Sequence, residues 1–107
     1  MKISDNPGSR EDETVIWYDG IHHAREPIGL EICLKLTDHL LSNYSSDPQV
    51  QKWVDRTEIY IVPCMNPDGW KYVVDSSLNY PWWRKNLHDN HSNGLFQPYA
   101  DGVDLNR

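Results

Sequence analysis

His23 and Glu26 stand three residues apart in the run His22-His23-Ala24-Arg25-Glu26. A neutral imidazole and a carboxylate are both good zinc ligands. The pair falls where an apolar run gives way to a helical pattern, which is where open α/β sheets place their sites. Taken by itself the spacing also fits a polar loop in which Glu26 complements the positive end of the following helix. In an extended chain His22 and His23 point to opposite sides, and the offset to Glu26 selects His23 as the ligand.

Three further positions carry the right chemistry. Arg84, in Trp82-Trp83-Arg84-Lys85-Asn86, is either a surface cation stacked on indole or a fixed charge over a carbonyl oxygen, stabilising an oxyanion. A guanidinium stays charged at working pH and suits that second role better than Lys85. Asp104, Asn106 and Arg107 close the chain in Gly102-Val103-Asp104-Leu105-Asn106-Arg107. Val103 and Leu105 alternate with the polar residues, so an extended segment would put Asp104 and Asn106 on one face. A carboxylate there can take the second N–H of a ligating imidazole, and an amide beside a guanidinium can hold a carboxylate. The plain alternative is a solvated chain end. His88 and His91 repeat the three-residue spacing, but in a polar loop without β-structure, and read as loop residues rather than ligands.

The elements that must position these groups are legible from pattern. Residues 1–13 read as a polar, irregular lead-in. Thr14 to Tyr18 is a short run of β-formers closed by Asp19-Gly20 and reads as a buried strand. A helix is expected from about Pro27 to Tyr44, with Ile28, Ile32, Leu36 and Leu40 as its apolar stripe, widened by Cys33 and Leu41. Asp47-Pro48 starts a second, short helix with Val50, Trp53 and Val54 on one face. Glu58 to Val62 is the second strand. Asn66-Pro67-Asp68-Gly69 reads as a turn, Lys71 to Val74 as a short extended piece, and the chain from Ser76 onward as one long loop. Strand, helical crossover, strand favours a parallel pair in an α/β sheet.

Composition narrows the function. The 107 residues carry a formal charge of −6, which lacks the basic footprint of a nucleic-acid binder. No apolar run approaches the roughly 18 residues of a membrane span. Five Trp and six Tyr supply large core anchors or a wall for an organic ligand. Cys33 and Cys64 are too few for a disulfide framework and read as small buried hydrophobes.

Taken in order, His23-Ala24-Arg25-Glu26, Asn66-Pro67-Asp68-Gly69, Trp83-Arg84-Lys85-Asn86 and Gly102-Val103-Asp104-Leu105-Asn106-Arg107 resemble the zinc metallocarboxypeptidases of the carboxypeptidase A/B/T type, over residues 14–107. The resemblance implies an α/β fold, a partial mixed sheet with helices packed on its faces, forming the N-terminal part of a catalytic domain. It implies Zn2+ as cofactor, with His23 and Glu26 as its first two ligands and Asp104 behind His23. It implies Arg84 as the cation that polarises the scissile carbonyl, and Asn106 with Arg107 as the clamp for the substrate's terminal carboxylate. Arg25 would contact substrate residues further from the cut, and Asn66 to Gly69 would be structural.

The substrate so implied is a peptide or protein with a free C-terminal carboxylate, in a secreted or extracellular setting, although the chain carries no signal peptide. The family's third ligand, a His, and its general base, a Glu, lie beyond the clamp motif and have no counterpart in these residues. Little or no peptidase activity is therefore expected of the 107 residues alone. Pro27 stands where some members carry an aromatic residue. A related zinc amidohydrolase acting on a small molecule, or a non-catalytic binding module, are the competing readings.

Overall fold

The computed structural model describes residues 1–75, 77 and 80–107. Among the described residues three strands and three helices follow in the order β1 (Lys2–Ile3), β2 (Thr14–Asp19), α1 (Ile28–Asn43), α2 (Pro48–Val54), β3 (Thr57–Val62) and α3 (Pro67–Val74). The sheet order is β1-β3-β2. β2 and β3 are parallel, with Ile16 opposite Ile59 and Tyr18 opposite Ile61, as the helical crossover requires. β1 runs antiparallel to β3, which makes the sheet mixed. The lead-in is therefore not irregular throughout: Ile3 pairs with Ile59 and is buried.

One face of the sheet carries the core. Ile3, Ile59 and Ile61 pack with Cys33 and Leu40 of α1 and Val50 and Val54 of α2. The other face shows Val15 and Trp17, each 55% exposed, with Trp17 stacked on Tyr60 at 6.2 Å. β2 is thus exposed rather than buried: it lies at the edge of the sheet among the described residues, and Tyr18, on the helix-facing side, is itself 42% exposed.

The helix α1 turns only part of the expected stripe inward: Cys33, Leu36 and Leu40 face the core. Cys33, Thr37 and Leu40 are buried, whereas Ile28, Ile32 and Leu41 are exposed. Gly29, Cys33, Leu36 and Leu40 form the inner row, and its phase is set at Gly29. A Cβ at Gly20 would lie 2.6 Å from the carbonyl carbon of Gly29 and 2.8 Å from the Pro63 oxygen. Only a residue without a side chain lets these backbones cross so closely.

Two further expectations change. Pro67 to Val74 is a helix, not a turn followed by an extended piece. Asn-Pro is equally a helix start: the Asn66 side chain accepts from the Gly69 N–H at 3.0 Å, and Pro67 occupies the first turn. The Asp47 cap of α2 forms as expected, accepting from Gln49 and Val50. Cys33 is buried but Cys64 only partly so, and both are free thiols. Beyond α3 the described residues form no further helix or strand, in keeping with a long loop; Ser76, Leu78 and Asn79 of that expected loop lie outside the described residues. No helix among the described residues is long and apolar enough to cross a membrane.

Candidate metal and substrate site

The segment between β2 and α1 is placed by its own backbone and by Asn66. Gly20 donates to Val62 and accepts from Met65, so the chain leaves β2 tied to the end of β3. Ile21 follows with φ of 47° and its side chain buried. That is the left-handed region, which costs a β-branched residue about 1–3 kcal/mol, and it turns the chain toward His22 and His23. Ala24, fully buried, donates to the Arg84 carbonyl at 3.0 Å. Asn66 donates to the carbonyls of His22 at 3.1 Å and Lys85 at 3.0 Å while capping α3. One buried amide thus joins three segments that are far apart in sequence. Gly69 permits this approach, since a Cβ there would lie 2.5 Å from the Lys85 oxygen. The Asn-Pro helix start was the only sequence signal for Asn66.

Four of the expected site residues meet. His23 is buried, with Nδ1 2.9 Å from Glu26 Oε2 and Nε2 3.0 Å from Asp104 Oδ1. Arg84 donates from Nε to Asp104 Oδ2 at 2.7 Å and from Nη1 to Glu26 Oε1 at 3.3 Å. The result is a closed ring of four side chains from three separate segments. The Arg84 guanidinium, the Asn106 N–H and the His23 ring hold Asp104 well below the usual carboxylate range. Glu26 is also lowered, first by its bond to His23 and then by the charges of Arg84 and Arg25.

The clamp residues lie at the margin. Asn106 lines a depression of about 210 Å³ together with His22, His23, Glu26, Gly29 and Asp19. Arg107 is exposed, and its Nη1 donates to the Asn106 carbonyl at 3.1 Å. Leu105 and Asn106 form a turn rather than an extended run, because Asp104 Oδ1 accepts from the Asn106 N–H at 3.0 Å and closes the chain on itself. Arg25 points outward and donates to the Trp82 carbonyl at 3.2 Å. His22 is partly exposed, 3.5 Å from Asp19.

The arrangement at His23 suits a cation. An imidazole between two carboxylates satisfies both only as a double donor. A divalent ion seated between Nδ1 and Glu26 would take the proton's place there and leave Asp104 to fix the other nitrogen. Two tetrahedral zinc ligands at ordinary bond lengths sit about 3.3 Å apart, close to the 2.9 Å found between Nδ1 and Oε2. Groups of three converging donors among the described residues occur elsewhere, at Asp89, His91 and Asp101 and at Asp5, Glu11 and Glu13. In the first of these His91 pairs with fully buried Asp101 at 2.9 Å, not with His88. Asp101 also accepts from the backbone of Asn90 and Gln97, and so folds the loop that returns the chain to Asp104.

Comparison with known proteins gives the family of the chain. The zinc carboxypeptidase family profile (peptidase M14) matches residues 1–107. A zinc carboxypeptidase of Saccharothrix mutabilis subsp. capreolus is 35% identical over 107 residues, all of this chain and 23% of that protein. Human carboxypeptidase D is 43% identical over 72 residues, 66% of this chain and 5% of its own length. The solved structure of bovine thrombin-activatable fibrinolysis inhibitor, in complex with tick carboxypeptidase inhibitor, superposes with a TM-score of 0.68 at 25% identity, covering 96% of this chain and 28% of that one. The chain thus spans about a quarter or less of the proteins it matches, and it belongs to the zinc carboxypeptidase family.

Proposed function

We propose that the protein carrying this chain is a zinc metallocarboxypeptidase that hydrolyses the last peptide bond of peptides or proteins with a free C-terminal carboxylate, in a secreted or extracellular setting. The observation that supports this most is the His23 ring, which presents Nδ1 to Glu26 while Asp104 holds Nε2.

Zinc, when bound, supplies a Lewis acid that activates a water and polarises a carbonyl. His23 Nδ1 and Glu26 would hold it, with a third ligand and a general base expected from other parts of the protein. Asp104, kept ionised by Arg84, the Asn106 N–H and His23, accepts from Nε2 and so keeps the Nδ1 lone pair turned toward the ion. Arg84 uses one Nε and one Nη1 donor on Asp104 and Glu26. The rest of its five-donor fork can meet the oxygen of the scissile carbonyl as negative charge builds there. Asn106 at the depression's edge and the exposed Arg107 would receive the substrate's terminal carboxylate through an amide and a bidentate fork. Arg25 would face residues upstream of the cut.

The test compares the full-length protein, zinc-loaded, on a peptide and on the same peptide amidated at its C-terminus. The expected result is hydrolysis of the acid at least 100-fold faster, since the amide lacks the charge that Arg107 recognises, a loss of about 3 kcal/mol. Equal rates would point to a zinc amidohydrolase instead. The 107 residues alone are expected to show little or no release of terminal amino acids.

A further inference from the structure

We propose that Asn86 is a positioning residue for Arg84. By holding Val103 it fixes where the Asp104 carboxylate meets the guanidinium, and so governs turnover through Arg84. The proposal rests on the carboxypeptidase reading above, which gives Arg84 its role at the scissile carbonyl.

Asn86 grips Val103 at both of its backbone groups. The Asn86 N–H donates to the Val103 carbonyl at 3.0 Å, and Asn86 Oδ1 accepts from the Val103 N–H at 2.7 Å. The same oxygen accepts from the His88 N–H at 3.1 Å. A side-chain oxygen thus does what the carbonyl of a paired strand would do, where the described residues form no strand.

The grip falls beside the ring of site residues. Arg84 lies two residues before Asn86, and Asp104 directly follows Val103. Along the chain Arg84 and Asp104 are 20 residues apart, yet Nε and Oδ2 meet at 2.7 Å. Across the Asn86–Val103 pair only Lys85, Asn86 and Val103 intervene. So short a tie leaves far fewer relative positions than a 20-residue loop does by itself.

The two segments are also locked in register. Gly102 has φ of 87°, and a Cβ there would lie 2.7 Å from the Asn86 carbonyl oxygen and 2.9 Å from Lys85 Cβ. Only glycine allows that approach. Lys85 adds a second tie, from Nζ to the Asp101 carbonyl at 3.2 Å, but it ends three residues short of Asp104. On the opposite side, the Arg84 and Lys85 carbonyls are already held by the Ala24 N–H and the Asn66 amide. Asn86 therefore brings Asp104 to an Arg84 backbone that is anchored independently.

The consequence is chemical. Arg84 gives Nε to Asp104 and Nη1 to Glu26. The first bond sets the plane of the guanidinium, and with it the aim of the remaining donors. Stabilisation of a developing charge falls steeply when a donor moves by about an ångström.

The test uses the full-length protein at saturating zinc and peptide. Asn86→Ala should lower kcat about tenfold. Asn86→Asp keeps the accepting oxygen in place and should recover most of that loss. In an Arg84→Lys background, which lacks the Nε bond to Asp104, Asn86→Ala should change kcat by less than about twofold. Equal losses in both backgrounds, or an Asp variant no better than Ala, would overturn the proposal and make Asn86 a brace of the loop alone. If Asn86→Ala does not fold, Asn86→Gln, which moves the amide by one methylene, takes its place with the same expected loss.

Crystal structures of these variants give a readout independent of catalysis. The distance from Arg84 Nε to Asp104 Oδ2 should open beyond about 3.5 Å in Asn86→Ala and stay at hydrogen-bond length in Asn86→Asp. A contact left intact in Asn86→Ala would overturn the positioning role. Failure of the unmutated protein to hydrolyse any peptide would instead sink the carboxypeptidase reading, and the measured distance would still decide what Asn86 holds in place.

Discussion

Asp104 and His23, 81 residues apart in the chain, meet at 3.0 Å through Oδ1 and Nε2. The other oxygen of the same carboxylate takes Arg84 Nε at 2.7 Å. One carboxylate therefore orients the imidazole proposed to hold the metal and anchors the guanidinium proposed to face the substrate. If those roles hold, disturbing Asp104 should affect both.

Replacing Asp104 by Asn keeps the shape but removes the charge and puts an N–H₂ where an acceptor is needed. Zinc affinity of the full-length protein should fall about 10- to 100-fold, measured by competition with a chromophoric chelator. Asp104→Glu, which retains the charge, should recover part of it. Unchanged affinity in Asp104→Asn would remove this residue from the site.

Asn66 is a buried amide that satisfies two carbonyls and one N–H. Asn66→Ala strands all three and removes the cap of α3, for a loss of about 3 kcal/mol in urea unfolding. Asn66→Asp can still cap the helix but turns a carboxylate toward the His22 and Lys85 carbonyls. It should be no better than Ala, and rescue by Asp would show that capping alone matters.

Gly20→Ala places a methyl group against the backbone of Gly29 and Pro63, neither of which can rotate away. A cost of about 1–3 kcal/mol is expected. Because this crossing sets where the His22-His23 turn begins, zinc affinity should fall together with stability. A variant of wild-type stability would mean that the crossing relaxes freely.

Acid should unfold the protein through a defined set of carboxylates. Glu26, Glu58, Asp101 and Asp104 lie below their ordinary values, chiefly through bonds from His23, Lys2, the Gln97 N–H and Arg84 respectively. Each contributes stability that is complete above the unfolded value near 4 and is lost as pH falls through the folded one. Glu13 has the opposite sign. Burial, Glu11 and Asp5 raise it, so its penalty sets in as pH rises above 4.5. Glu13→Gln should raise Tm at pH 7 and leave it unchanged at pH 3. A gain at both would trace the effect to something other than charge.

Patterns confined to neighbouring residues were legible without the structure. The Asp47-Pro48 start of α2, the two parallel strands and the long loop all follow from local preference and from the length of the crossover. The ordered motifs from His23 to Arg107 likewise carried the family. Readings that needed a neighbour went wrong. The inner face of α1 is chosen by the Gly20-Gly29 contact and not by the positions of its isoleucines. Asn66-Pro67 serves both turns and helix starts, and only Lys85 and His22 across the fold decide between them. Strand β1 depends on β3, which lies more than 50 residues away.

By itself, then, the sequence determined which side chains are available for zinc and carboxylate chemistry, and in what order, because residue type and spacing are properties of the chain. Only the tertiary structure decided that His23, Glu26, Arg84 and Asp104 close into one ring while Arg107 stays outside it. Hydrogen bonds between segments tens of residues apart depend on how their backbones cross, and no local pattern encodes those crossings.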